Sequence, residues 1–356
     1  MSIAAMAVNA LRVRRAQREM PLITRARPAR VDIEPTTYCN FLCPHCPSAH
    51  ARQADRATPS PVHLTAADFG RVLDALPTVY RMKLVGLGEP LLNPDFFAMV
   101  REASRRRVRV MTTTNGSVLD QERRRHLLDC GLHGVNVSVD AADPATHARL
   151  RPGSDLERIA ENVAALVRER GRRKRPAIRV WHVVQRAATA ELPDLVDRCA
   201  EWGVDALLCT ARVTNFGVET LEEVVATRRA VAEELGRVLP EARRRAALAR
   251  LRFRCPPAPP GPRVPGQGRP CRWPWGRAFI SARGELRPCP YAAGPEGLTV
   301  GPLLSDDGAP VPFDGLWNGE AMQTLREQIR TGCNPAFCRA CYPGWTPGKG
   351  VNGNHR

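Results

Sequence analysis

The stretch Val31-Asp-Ile-Glu-Pro-Thr-Thr-Tyr-Cys39-Asn-Phe-Leu-Cys43-Pro-His-Cys46 decides how the chain is read. Residues 31–34 have the pattern of a β-strand, and three cysteines follow within one short loop at its C-terminal end. Thiolates are the preferred ligands of iron–sulfur clusters. Three protein ligands leave one iron of a cubane open to the amino and carboxylate groups of a substrate. A zinc site would need a fourth ligand, which His45 or His50 could supply, but the motifs downstream agree better with a cluster.

Outward from this loop, short β-rich runs alternate with amphipathic helices. Thr65-Ala-Ala-Asp68 forms a capping box ahead of Phe69, Val72, Leu73 and Leu76 at helical spacing. Strands are expected at 82–85, 108–112, 134–139, 178–184 and 206–209. Helices are expected from Asp95, from Asp120 to a stop at Gly131, over 156–168, and from near Leu192 to a stop at Gly203. Six βα units imply a parallel sheet covered by helices; periodicity does not say whether it curls. A further helix is expected over 220–251. The segmentation is then a basic extension at 1–27, an α/β body at 28–252, a Pro/Gly-rich linker at 253–270, a cysteine-rich unit at 271–345 and a tail at 346–356.

Composition narrows the class. The 356 residues are 43% hydrophobic, enough for a substantial core, and no run of 18 apolar residues suggests a membrane span. The formal charge is +17, yet the only lysines are Lys83, Lys174 and Lys349. The arginines are scattered over several helical stretches, such as 105–107 and 243–245, without interleaved aromatics, so they read as solvated faces rather than a nucleic-acid footprint. An anionic small substrate is compatible with this balance. Apolar residues precede Arg12, Arg14 and Arg15, the reverse of a secretory signal, and a cytoplasmic protein is expected. Twelve cysteines in such a compartment are not disulfides. Cys130, Cys199 and Cys209 sit in apolar stretches as small buried hydrophobes.

The CxxxCxxC loop after the first strand resembles the signature of the radical S-adenosylmethionine (SAM) superfamily. Gly86-Leu-Gly88-Glu89-Pro90 after the second strand is similar to the family's GGEP motif. The resemblance implies a partial (β/α)6 TIM-like barrel, with Cys39, Cys43 and Cys46 holding a [4Fe–4S] cluster that cleaves SAM at the strands' C-terminal ends. His45 departs from the aromatic usual before the third cysteine. Gly86, Gly88, Glu89 and Pro90 would face the SAM ammonium, glycine letting the backbone come close. Thr113, Thr114 and Asn115 would supply polar contacts, and Ser138 and Asp140 ribose and carboxylate contacts. Val183 and Val184 would pack on adenine. A flavodoxin or ferredoxin would supply the electron.

The C-terminal cysteines resemble the SPASM/Twitch auxiliary-cluster pattern. Cys271 and Cys289 flank Gly284 on an expected hairpin, and Cys333, Cys338 and Cys341 follow; zinc is the alternative, since C-x2-C pairs also build ribbons. The full SPASM form has seven cysteines here, so the chain resembles the single-cluster Twitch form. Cys271, Cys289, Cys338 and Cys341 are the implied ligands of a second [4Fe–4S] cluster. Cys255 and Cys333 are left as a fourth ligand, a hydrogen donor or bystanders. This layout resembles the butirosin-pathway aminocyclitol dehydrogenase type, and with about 27 residues ahead of the barrel no peptide-recognition domain is expected at that end. Oxidation of a sugar or aminocyclitol alcohol in natural-product synthesis is the leading expectation. Epimerisation, decarboxylation, dehydration and peptide side-chain modification remain open. His182, Gln185, Arg212 and Asn215 are candidate bases at strand ends.

Overall fold

The computed structural model describes residues 3–47, 49, 61–210, 221–255, 270–293, 297–304, 311–335 and 337–338. Ten strands form one sheet: Arg30–Ile33 (β1), Arg81–Leu84 (β2), Arg109–Thr114 (β3), Gly134–Ser138 (β4), Ala177–Val183 (β5), Ala206–Thr210 (β6), Arg252–Arg254 (β7), Arg277–Ile280 (β8), Glu285–Arg287 (β9) and Gly301–Pro302 (β10). Their order is β10-β9-β8-β1-β2-β3-β4-β5-β6-β7. From β8 through β7 every pairing is parallel, while β9 and β10 add an antiparallel margin.

The described helices are Ile3–Glu19 (α1), Ala66–Ala75 (α2), Phe96–Arg105 (α3), Gln121–Asp129 (α4), Pro144–Leu150 (α5), Leu156–Arg170 (α6), Leu192–Glu201 (α7), Leu221–Leu248 (α8), Phe313–Trp317 (α9) and Glu320–Thr331 (α10). Several begin where short polar side chains satisfy orphan amides: Thr65 accepts from Asp68 N at 3.0 Å and Asp120 from Arg123 N at 2.8 Å. Gly131 closes α4 with φ +92°, the conformation a glycine adopts without strain.

Period-two alternation assigns the sheet its two faces. Ile33, Leu84, Val110, Val135, Ile178 and Val180 lie buried beneath the helices. The opposite face lines a lumen. There the Lys83 Nζ lies 5.7 Å from the Trp181 ring centroid. β2 and β5 are three strand spacings apart, about 14 Å in a flat sheet, so the contact reflects curling into an open barrel.

Two boundaries depart from the sequence segmentation. Residues 252–254, which straddle the boundary drawn between body and linker, form a seventh parallel strand against β6. A three-residue strand of alternating Arg-Phe-Arg is too short to announce itself in sequence. The cysteine-rich unit also joins the body directly, because β8 pairs with β1 in register Arg30↔Arg277 through Ile33↔Ile280. The barrel sheet and the auxiliary segment are one continuous sheet.

The N-terminal residues are part of the same construction. Trp275 Nε1 donates to Pro21 O at 2.8 Å and Trp317 Nε1 to Ala26 O at 2.8 Å. Asn318 exchanges two hydrogen bonds with the Thr24 backbone, at 2.9 and 3.0 Å. Arg326 is fully buried, donates to Pro274 O (3.1 Å) and Leu22 O (2.6 Å), and stacks 5.0 Å from the Trp317 centroid. Burial lowers its guanidinium to about 10. Replacing Arg326 with Met leaves those two carbonyls without donors. Chemical denaturation should then show a loss of about 2–4 kcal/mol. Wild-type stability in this variant would mean the clasp is held by the tryptophans alone.

Candidate active site

The three thiols of the first loop sit at the C-terminal end of β1. Cys43 is buried, Cys39 and Cys46 are half-buried, and Cys46 N donates to Cys43 O at 2.9 Å. Phe41 anchors the loop in the core, and Leu42 N donates to Pro152 O at 3.1 Å. Burial first, then the neighbouring thiols and Asp140, pushes Cys43 up to about 11 against the opposing pull of Arg151. Buried thiols that resist ionisation alone become good ligands when a metal centre takes up the thiolate charge. The donor set, three sulfurs from one loop, therefore fits the cluster implied by the motif.

The second loop is packed onto the first backbone to backbone. Glu89 N donates to Tyr38 O at 2.7 Å. A Cβ on Gly88 would lie 2.2 Å from Thr36 O and 2.6 Å from Tyr38 O, and one on Gly86 would lie 2.3 Å from Glu34 Cγ. Only glycine tolerates either approach. Glu34 Oε1 accepts from Leu87 N at 2.7 Å, tying the strand end to this loop. Burial raises the Glu34 carboxyl, opposed by the Leu87 and Ala282 amides.

The expected SAM-facing residues form a closed network of their own. Glu89 accepts from Leu91 N (3.1 Å), Thr114 Oγ1 (2.7 Å) and Asn115 N (2.7 Å). Asn115 Nδ2 donates to Asn40 Oδ1 at 2.8 Å, and its Oδ1 accepts from Ser117 N and Oγ. Pro90 begins a buried turn at 90–92. The side chains of Glu89, Thr114 and Asn115 thus fasten β3 to the cysteine loop. Ser138 is buried on the lumen face. Asp140 is fully buried, bonded to Arg151 Nε (2.8 Å) and Val183 N (2.9 Å), with Gln185 Nε2 at 3.3 Å. Although burial opposes it, Arg151 and the histidines His182 and His45 hold the Asp140 carboxyl low.

Strand parity places three of the candidate residues on the helix-facing side. His182 shares the helix-facing side with Val180 and Ile178, is fully buried, and donates from Nδ1 to Val139 O at 3.1 Å. It does not face the lumen, which on β5 is lined by Arg179, Trp181 and Val183. Val184 is likewise 0% exposed in the core and offers no surface to adenine; Val183 is half-buried on the lumen side. Cys255 follows β7 on the helix-facing side, where its thiol is hydrogen-bonded to that of Cys209, so neither faces the lumen. Arg212, Asn215 and Cys341 lie outside the described residues, as does His50. Cys271 and Cys289 are half-buried on either side of the β8–β9 hairpin, Cys338 is half-buried beyond α10, and Cys333 is exposed.

Two residues at the site escaped sequence reasoning. Glu34 could have been suspected from a carboxylate at the end of an apolar strand. Arg151 had no local signal: it reaches Asp140 and the thiols only because the α5–α6 connection folds over the cysteine loop.

Two substitutions test this construction. Gly88→Ala should push the Thr36–Tyr38 backbone away and lower iron after anaerobic reconstitution from about eight per chain to about four. Glu89→Gln keeps the shape but loses a charge-assisted acceptor, and SAM affinity should fall roughly 10- to 100-fold with iron content intact. Unchanged iron in the first variant, or unchanged SAM binding in the second, would reduce these loops to ordinary turns.

Comparison with known proteins agrees with this geometry. The radical SAM superfamily matches residues 33–183, and an iron–sulfur cluster-binding domain, SPASM, matches residues 271–342. The chain is 30% identical over 196 residues to the tungsten-containing aldehyde ferredoxin oxidoreductase cofactor-modifying protein of Pyrococcus furiosus, covering 54% of this chain and 52% of that one. It is 33% identical over 137 residues to GTP 3′,8-cyclase of Rhodopseudomonas palustris, covering 36% and 38%. The match spans about half the length of such curated relatives, or less. Streptococcus suis SuiB, solved bound to precursor peptide SuiA, superimposes with a TM-score of 0.63 at 17% identity over 95% of this chain and 75% of that one. No helix among the described residues is long and apolar enough to cross a membrane. The first domain implies a [4Fe–4S] cluster and SAM, and the second implies auxiliary iron–sulfur clusters. With its thiol loop, its glycine-locked second loop and its curled parallel sheet, the chain carries a radical SAM domain over residues 33–183 and a SPASM iron–sulfur cluster-binding domain over residues 271–342.

Proposed function

We propose that this radical SAM enzyme oxidises a secondary alcohol of a sugar or aminocyclitol in natural-product biosynthesis, with an auxiliary cluster as electron acceptor. The supporting observation is the number of thiols left for that cluster. Six cysteines follow residue 254, and Cys255 is committed to Cys209 in the core. The remaining five suffice for one four-coordinate cluster and fall short of two.

When bound, the cluster and SAM supply a 5′-deoxyadenosyl radical that abstracts hydrogen, and a fully ligated second cluster supplies a sink for the electron released as the alcohol becomes a ketone. The protein's own work is placement. Cys39, Cys43 and Cys46 hold the first centre, and Cys271, Cys289, Cys338 and Cys341 the second. The backbone of Gly86 to Pro90 lines the methionine end of SAM, and Ser138 borders the ribose. Arg151, oriented by Asp140, offers a cation beside the thiol loop for a carboxylate. A flavodoxin or ferredoxin delivers the reducing electron.

The test uses a panel of sugars and aminocyclitols deuterated at single carbinol carbons. Oxidation should transfer deuterium into 5′-deoxyadenosine and leave a product two mass units lighter than the unlabelled alcohol. A Cys338→Ala/Cys341→Ala variant that keeps its circular dichroism should cleave SAM yet form no ketone. An isobaric product carrying one solvent hydrogen at the labelled carbon would replace oxidation by epimerisation.

A further inference from the structure

The eight parallel strands segregate their charge completely. Register sets Arg277, Arg30, Arg81 and Arg109 side by side in one row across four strands. Lys83 stands above Arg81 on the same face, and Arg179, Arg252 and Arg254 extend that face onto β5 and β7. Every lysine and arginine of these strands therefore faces the lumen and none faces the helices. Asp32 is the one acidic residue within them.

A solvated outer surface does not explain this pattern, because the face is the concave wall of the barrel. Burial first, then Arg30 and Arg109, lowers the Arg81 guanidinium; burial and then Arg30 does the same for Arg277. Burial lowers Arg179, with Arg252 adding to the effect and Asp205 opposing it. Such crowding opposes folding, as sites built for an opposite charge do.

Within this wall, three side chains have capacity to spare. Lys83 is exposed to the lumen, and its close partner is the Trp181 ring. Arg179 Nη1 meets the Met111 sulfur at 3.8 Å, a weak acceptor. Among the described residues, neither cation has a carboxylate within ion-pair distance. Asn136, opposite Arg179 in the β4–β5 register, is 3% exposed, and its Oδ1 has no hydrogen-bond partner. Its amide nitrogen reaches Thr113 Oγ1 at 3.4 Å. A buried acceptor left without a donor marks a place where a ligand donor is missing.

We infer that the lumen holds a subsite for the anionic group, phosphate or carboxylate, of a hydroxylated small substrate. Lys83 and Arg179 face the anion, and Asn136 Oδ1 accepts from a substrate hydroxyl. Cations in a walled, partly desolvated cavity attract an anion more strongly than the same cations at a surface. The planar guanidinium of Arg179 suits either oxyanion. Asp32, the register neighbour of Lys83 on β1, lies beyond ion-pair distance of it. This inference rests on the reading of the substrate as a hydroxylated small molecule, and it narrows that class to sugar phosphates or sugar acids.

The test is a binding titration of the anaerobically reconstituted holoenzyme with SAM present, at low ionic strength, using glucose 6-phosphate, gluconate and neutral glucose as probes. One of the two anions should bind at least tenfold more tightly than glucose; which one identifies phosphate or carboxylate. Lys83→Met/Arg179→Met should weaken that binding at least tenfold, and Asn136→Asp should weaken it as well. Lys83→Arg should retain binding, which separates lost charge from lost folding. Arg168→Met/Arg172→Met, on the outer surface, should leave it unchanged. Equal binding of all three probes, binding of none, or a lumen double variant with wild-type affinity and iron content would overturn the inference. The titration needs no turnover, so its failure is distinct from a failure to find ketone.

Discussion

Gly88 lies against the carbonyls of Thr36 and Tyr38, so close that a methyl group there would overlap them. The geometry of the thiol loop follows from that approach. Three cysteines in eight residues form a ligand set only if the loop carrying them is held still, and a loop has no ladder of its own to hold it. Here the restraint comes from a neighbouring loop through Glu89 N to Tyr38 O, and from Glu34 reaching back to Leu87 N. Glu89 then fastens the second loop to β3 through Thr114 and Asn115, and Asn115 closes the circuit onto Asn40 beside Cys39. A buried carboxylate without partners would be expensive; three donors make this one a rivet.

The same economy governs the sheet. Its helix-facing side is almost wholly apolar, and its lumen side carries the charge. Such a division lets the barrel fold on hydrophobic burial alone while the lumen wall remains open to evolve toward a ligand. β8 extends this wall into the auxiliary segment, so the centre proposed for Cys271 and Cys289 would be mounted on the sheet that mounts the thiol loop. The N-terminal residues clasp the outside of this junction through Trp275, Trp317 and Arg326. A rigid connection of this kind suits electron transfer, whose rate depends on a fixed separation between centres.

Much of this was legible in the linear chain, and for identifiable reasons. The cysteine spacing, the glycines of Gly86-Leu-Gly88-Glu89-Pro90 and the capping residues Thr65 and Asp120 are local signals, complete within a few residues. Strand positions followed from alternation to within a residue or two. Alternation also held the lumen cations in plain view, in Arg81-Met-Lys83-Leu and Arg252-Phe-Arg254, but the arginine-rich helices obscured it. The error over His182 and Val184 came from placing strand ends without carrying parity through to them.

The sequence by itself determined the class of chemistry, because a thiol loop after a strand and a glycine-gated second loop are specified by spacing and by the absence of side chains. It also determined the α/β pattern, because burial on one face imposes a period. Only the tertiary structure decided which residues meet. Arg151 reaches the thiol loop across more than a hundred residues of chain, Cys255 is drawn to Cys209 in the core, and β8 returns to pair with β1. These encounters depend on where a curled sheet brings distant strands together, and no local pattern of residues encodes that.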